Sequence, residues 1–135
     1  MHEQIAPTVN TLNAAFWNAA VRAELVLPHC VASGRAFWPP SPSSPFVDCG
    51  AVDWRPAPPH GIVKSIATIH RGFQKAFEPC LPYAVALVEC ADQVRLQLFL
   101  ADPRAVAVDD RVAIGFAAVV ADGPVIPIVA GKAIP

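Results

Sequence analysis

The chain has 135 residues, enough for one domain or one small domain with an added lobe. A chain of this length buries roughly two-thirds of its unfolded surface, so folding requires neither a metal nor a disulfide. With a net charge of −1 and only 10 lysines and arginines, it lacks the basic excess that nucleic-acid binders use against phosphates. Apolar residues reach 54% and mean hydropathy is +0.42, more apolar side chain than a small monomer readily buries, which points to a protein–protein interface.

The start, Met1-His2-Glu3-Gln4, has no basic region followed by an apolar run, so no signal peptide is expected. The four cysteines therefore read as reduced thiols in a cytoplasmic protein. From Thr8 to about Arg22 the spacing of Leu12, Ala15, Phe16, Ala19 and Ala20 predicts an amphipathic helix capped by Thr8 or Thr11. Trp17 falls on the flank of that stripe, to pack on the body of the chain or to enter a partner's groove.

Leu25 to about Asp53 holds two incomplete metal knuckles. Cys30-Val31-Ala32-Ser33-Gly34 and Phe46-Val47-Asp48-Cys49-Gly50 each look like Cys-x-x-Cys-Gly with one ligand replaced, by Ser33 and by Phe46. A structural zinc site needs four thiolate or imidazole ligands, so the ribbon architecture is expected without its metal. His29, Cys30, Asp48 and Cys49 are the alternative donor set. Against it, adjacent His29 and Cys30 point in different directions, and two packed thiols, or a Cys30–Cys49 disulfide outside a reducing compartment, account for the same residues. Between the knuckles, the stretch Phe37-Trp38-Pro39-Pro40-Ser41-Pro42 excludes helix and central strand, because proline has no amide to donate. Trp54–Pro59 reads as a further proline-dense connector.

Beyond Gly61 the pattern changes to strands. Gly61–His70, Tyr83–Cys90, Val94–Leu100, Arg111–Val120 and Val125–Ala130 are predicted, with one capped helical turn at Asp102–Val106. Val94, Leu96, Leu98 and Leu100 alternate with Arg95, Gln97 and Phe99, placing one face inside. The region from Arg111 to Lys132 carries one internal charge, Asp122. Gly115, Gly123, Pro124 and Pro127 break it into short strands, so no membrane span is expected. The fold class is mainly β: a five-stranded OB-fold barrel (60–135), preceded by an N-terminal helix (1–24) and a degenerate zinc-ribbon lobe (25–59).

The ordered series Phe16-Trp17, Leu25-Val26-Leu27 with Cys30, Phe37-Trp38-Pro39-Pro40, Cys49-Gly50 and Trp54 is followed by Gly61-Ile62-Val63-Lys64-Ser65. Thr68, His70, Pro82–Glu89, Arg95 and Val112-Ala113-Ile114-Gly115 complete it. From about Thr11 to about Ile128 this series resembles the family called domain of unknown function 35, which joins a helix, a rubredoxin-like zinc ribbon and an OB-fold. The resemblance implies an accessory subunit, itself non-catalytic, of a thiolase-like enzyme in a hetero-oligomer working on acyl-CoA esters. That chemistry would be acyltransfer, thiolysis or retro-aldol cleavage.

Two departures stand out. Ser33 and Phe46 remove ligands, so the zinc site does not carry over, and Gln93 stands where the turn after the second barrel strand is expected to carry glycine. Phe16, Trp17, Phe37, Trp38 and Trp54 are the expected interface anchors, each equally suited to the chain's own core. Arg71 and Lys75, beside Phe73 and Phe77, are suited to the phosphates and adenine of acyl-CoA or to an acidic partner patch. A solvated connector is the plain alternative. Cys90 ends a strand and reads as packed; Cys80 falls in a loop, and the nearest base in sequence, His70, is not placed against it by any motif, so a structural thiol is expected, and no catalytic motif occurs. Two other classes of function stay open: an independent acyl-CoA-binding OB module, and a single-stranded nucleic-acid binder. The latter lacks both a positive groove and enough stacking aromatics.

Overall fold

The computed structural model describes residues 10–48, 50–70, 79–119 and 125–132. One helix, α1 (Ala14–Val21), precedes seven strands: β1 (Val26–Cys30), β2 (Val52–Pro56), β3 (His60–Ile69), β4 (Tyr83–Glu89), β5 (Arg95–Leu100), β6 (Arg111–Ala118) and β7 (Val125–Lys132). The last five close into a barrel in the order β3-β4-β5-β7-β6. All neighbours are antiparallel except β5 and β7, which run parallel. This is the five-stranded OB-fold arrangement.

Small and branched residues fill a narrow interior. Ala84, Ala86 and Val88 of β4, Leu96, Leu98 and Leu100 of β5, and Val63, Val112 and Ile114 point inward and are buried. Each large one removed from water contributes about 1.5–3 kcal/mol. β3 serves two sides of the barrel. His60–Ile62 pair with β6, and Ile62–Ile69 pair with β4, with a bulge between Val63 and Ser65. Gly61 lies where the strands cross, and a Cβ there would collide with the Glu89 carbonyl oxygen. The apolar stretch from Arg111 to Lys132 forms β6 and β7, and no described helix is long and apolar enough to cross a membrane.

The helix is shorter than its sequence pattern. It begins at Ala14, and the turn before it is held by Asn10, whose Oδ1 accepts the Leu12 and Asn13 amides, so Thr11 is not the cap. Thr8 lies outside the described residues. Phe16, Ala19 and Ala20 bury the inner stripe. The Phe16 ring meets Trp17 at 4.9 Å, Trp38 at 4.8 Å and Phe116 at 6.1 Å, joining helix, lobe and barrel at one point.

In the lobe, β1 and β2 pair antiparallel from Val26↔Pro56 to Cys30↔Val52. Trp54 thus belongs to a strand, not to a connector: the prolines at its end terminate the pairing rather than prevent it. The turn at Asp102–Ala105 is a single turn, with the Ala105 amide on the Asp102 carbonyl and Arg104 on the Asp102 carboxylate, and it does not extend into a helix.

Candidate functional site

Strand alternation puts an unusual surface on the outside of the barrel. β4 turns its small residues inward and sends Tyr83, Val85 and Leu87 outward, where a solvated sheet would carry polar groups. Val85 pairs with Phe99 on β5, and the Tyr83 and Phe99 rings stack at 5.2 Å. Trp17, carried by α1, divides this face into two grooves. One, of about 390 Å³, runs between Trp17, Trp38, Pro39, Leu87 and Gln97. The other, of about 460 Å³, runs between Trp17, Tyr83, Phe99 and Ile126. Gln97 and Pro127 floor both. Arg95 lies in the first groove, its guanidinium 3.1 Å from the Glu89 carboxylate.

The five aromatic anchors expected from sequence separate here. Phe16 (2% exposed) and Phe37 (6%) are core side chains, because the helix and the lobe each need one large ring to close on the barrel. Trp17, Trp38 and Trp54 are half-buried against that core. Trp17 and Trp38 border the grooves, and Phe16 reaches the wall of the first; Trp54 lines neither. Sequence reasoning missed Tyr83, Val85 and Leu87. Their signal was an alternation in size, large against small, in a strand with no alternation in polarity.

The lobe centre also differs from the expected ligand pattern. Cys30 is fully buried. Its Sγ accepts the Ser33 amide at 3.4 Å, and the Gly34 amide donates to the Cys30 carbonyl at 2.7 Å, so the first knuckle turn is intact. Hydrogen bonds from the Ser33 and Ser44 side chains bring the Cys30 thiol down from 9.0 to about 7, against the upward push of burial. Phe46 does not face this thiol. It is 39% exposed, lies under the Arg35 guanidinium (4.0 Å) and meets Phe37 edge-on. Ser44 is buried, with its Oγ accepting the Phe46 and Val47 amides at 3.0 and 3.3 Å.

His29 is buried beside it, Nδ1 bonded to the Leu27 carbonyl at 2.8 Å. Among the described residues no three acidic, histidine or cysteine side chains are placed to hold a metal. Cys49 lies outside the described residues, as do Arg71, Lys75, Phe73 and Phe77. A depression of about 470 Å³ lined by Thr68, His70, Pro82 and Arg104 adjoins the point where the chain leaves them. Cys80 donates its thiol to the Val119 carbonyl, and burial raises the Cys90 thiol.

A closed five-stranded barrel, preceded by a helix and a two-stranded lobe and bearing an apolar outer face, defines a protein of the OB-fold class. A family model described as the ChsH2 C-terminal OB-fold domain matches residues 54–117. A solved chain from a structure titled "Ltp2-ChsH2(DUF35) aldolase" superposes with a TM-score of 0.77 at 29% identity, covering 96% of this chain and 100% of that one. The chain belongs to the family called domain of unknown function 35. A curated protein of Thermomonospora curvata, named a probable enoyl-CoA hydratase alpha subunit, is 38% identical over 92 residues, 67% of this chain. That stretch spans only 28% of the relative.

Proposed function

We propose that this chain is a non-catalytic accessory subunit in acyl-CoA metabolism that docks on a thiolase-like enzyme. The observation that carries the reading is the likeness over nearly the whole chain to the ChsH2 (DUF35) chain of an aldolase. The relative named for an enoyl-CoA hydratase subunit supports a CoA-ester setting. The divided apolar face around Trp17 supports docking, since large half-buried aromatics on a groove rim are the residues that dominate interface energetics. In this reading the helix (1–24) and lobe (25–59) buttress the barrel (60–135), and Trp17 and Trp38 are the contact residues. Acyltransfer, thiolysis and retro-aldol cleavage are the reactions the partner would perform, in the cytoplasm.

Purification of the tagged protein from its native cells, with co-eluting chains identified by mass spectrometry, tests this. A thiolase-like chain in stoichiometric amount is expected. Trp17→Ala is expected to weaken the complex about tenfold or more while leaving the isolated subunit folded. A chain that elutes alone and ignores the thiolase-like proteins of the same cells overturns the proposal.

A further inference from the structure

For most of its length β3 is paired on one side only. On its β4 side the ladder runs to Ile69. On the other side it pairs with β6 at His60–Ile62. Val63 then closes that ladder, donating to the Asp110 carbonyl at 3.0 Å and accepting the Asp109 amide at 2.8 Å. From Lys64 onward, among the described residues, no backbone partner continues this second edge. Strand alternation says which groups stay open. The Cys90 amide donates to the Val94 carbonyl on the β5 side, so Leu87, Val85 and Tyr83 turn theirs toward β3, opposite Ser65, Ala67 and Ile69. Ile66 and Thr68 therefore direct their amides and carbonyls away from β4. Past the bulge the edge is neither covered nor blunted. Lys64, Ser65, Ala67 and Thr68 are exposed, and Ser65–Ile69 holds no charge and no proline.

We infer that this edge pairs with the same edge of a second copy of the chain, antiparallel about a two-fold axis at Ala67. The register follows from the open groups. Ile66 of one copy faces Thr68 of the other on either side of the axis, and each facing pair exchanges backbone hydrogen bonds. Between them Ala67 meets its counterpart in the non-hydrogen-bonded position, where strands approach most closely and a small side chain fits. A two-fold contact needs a self-complementary surface, and this register supplies one. Charge agrees with it. Lys64 falls opposite His70 of the second copy, at the rim of the depression that also holds the Asp102 carboxylate. The present ion partner of Asp102 is Arg104 at 3.6 Å, 93% exposed, and an exposed pair of that kind exchanges partners at little cost. The edge shares no residue with the grooves beside Trp17, so both surfaces can be occupied together and the inference stands apart from the docking proposal.

Sedimentation velocity of the purified chain over a wide concentration range tests this. A concentration-dependent monomer–dimer equilibrium is expected, and a monomer throughout overturns the inference. Ala67→Lys sets two ammonium groups against each other on the axis. It is expected to raise the dimer dissociation constant about tenfold or more with Tm unchanged. Ala67→Glu is expected to do the same, and an equimolar mixture of the two variants to dimerise again. A dimer that persists in Ala67→Lys, or a mixture that stays monomeric, overturns the register. Thr68→Pro removes an amide that points away from β4, so it is expected to fold and to remain monomeric. A Thr68→Pro chain as dimeric as the wild type shows that the edge is not the interface. So does a dimer abolished by Trp17→Ala, which places the contact on the grooves. A chain that is monomeric alone, with the Ile66 and Thr68 amides protected from exchange only in a complex with another protein, gives the edge to that protein's strand and overturns the second copy.

Discussion

The backbone amide of Ala36 donates to the Asp92 carboxylate at 2.8 Å, a bond between residues 56 positions apart that ties the lobe to the turn joining β4 and β5. Ala36 is buried and forms a bridge with His29, so the bond anchors the inner strand of the lobe rather than a loose loop. It also fixes Asp92 at φ 55° and ψ 30°, a left-handed conformation that aspartate tolerates better than most residues.

Removing that acceptor leaves a part-buried amide without its partner. Asp92→Ala is expected to cost about 1.5–3 kcal/mol, the range for a hydrogen bond to a charged group. Asp92→Asn retains an acceptor and the left-handed tolerance, and is expected to recover most of the loss. Urea unfolding of both variants measures this; equal losses would place the effect in the turn and not in the tether.

The next residue is left-handed as well. Gln93 adopts φ 64°, so the turn stays tight where its lack of glycine suggested a looser shape. Two successive left-handed residues are the geometry that Asn-Gly and Asp-Gly serve best in hairpins. Gln93→Gly is expected to raise stability by about 0.5–1 kcal/mol. A fall in the unfolding midpoint would show that Gln93 makes a compensating contact.

Gly61 stands at the closest approach of β3 to β4. A methyl there meets backbone at Glu89 and the Val88 side chain, and backbone cannot rotate away. Gly61→Ala is expected to destabilise by about 1–3 kcal/mol, the usual range for overpacking. Gly34→Ala, which meets no neighbouring atom within 4 Å, is the control for left-handed strain alone, and a loss at Gly61 no larger than at Gly34 would remove the steric argument.

The lobe makes stability depend on pH. The folded Cys30 thiol is lowered to about 7 from 9.0, chiefly by its Ser33 and Ser44 hydrogen bonds, so the folded state releases its proton more easily than the unfolded chain. The contribution is fully present above pH 9.0 and is lost as pH falls through about 7. Wild-type Tm is therefore expected to rise between those values relative to Cys30→Ala. Parallel profiles for the two proteins would mean that the thiol titrates alike folded and unfolded.

Much of this architecture follows from local pattern. The period-two runs of β4 and β5, the proline punctuation and the apolar stripe through Phe16, Ala19 and Ala20 each reflect backbone geometry that repeats every two or 3.6 residues, and they place the barrel and the helix. The ordered residues also carry the family. Which side of a buried set faces out is another matter. Tyr83, Val85 and Leu87 are as apolar as an interior, and only the narrow closed barrel, which admits Ala84 and Ala86, decides that they lie outside.

The same holds for the knuckles. Spacing around Cys49-Gly50 singled out Phe46, whose ring lies under the Arg35 guanidinium, while Ser44 Oγ accepts the Phe46 and Val47 amides. The tether from Ala36 to Asp92 has no trace in local sequence at all. Sequence by itself determined the five barrel strands and the helix, because these depend on residue type and short spacing. Tertiary structure alone decided the outward apolar face and the tether, because each depends on groups far apart in the chain brought within hydrogen-bond or van der Waals distance.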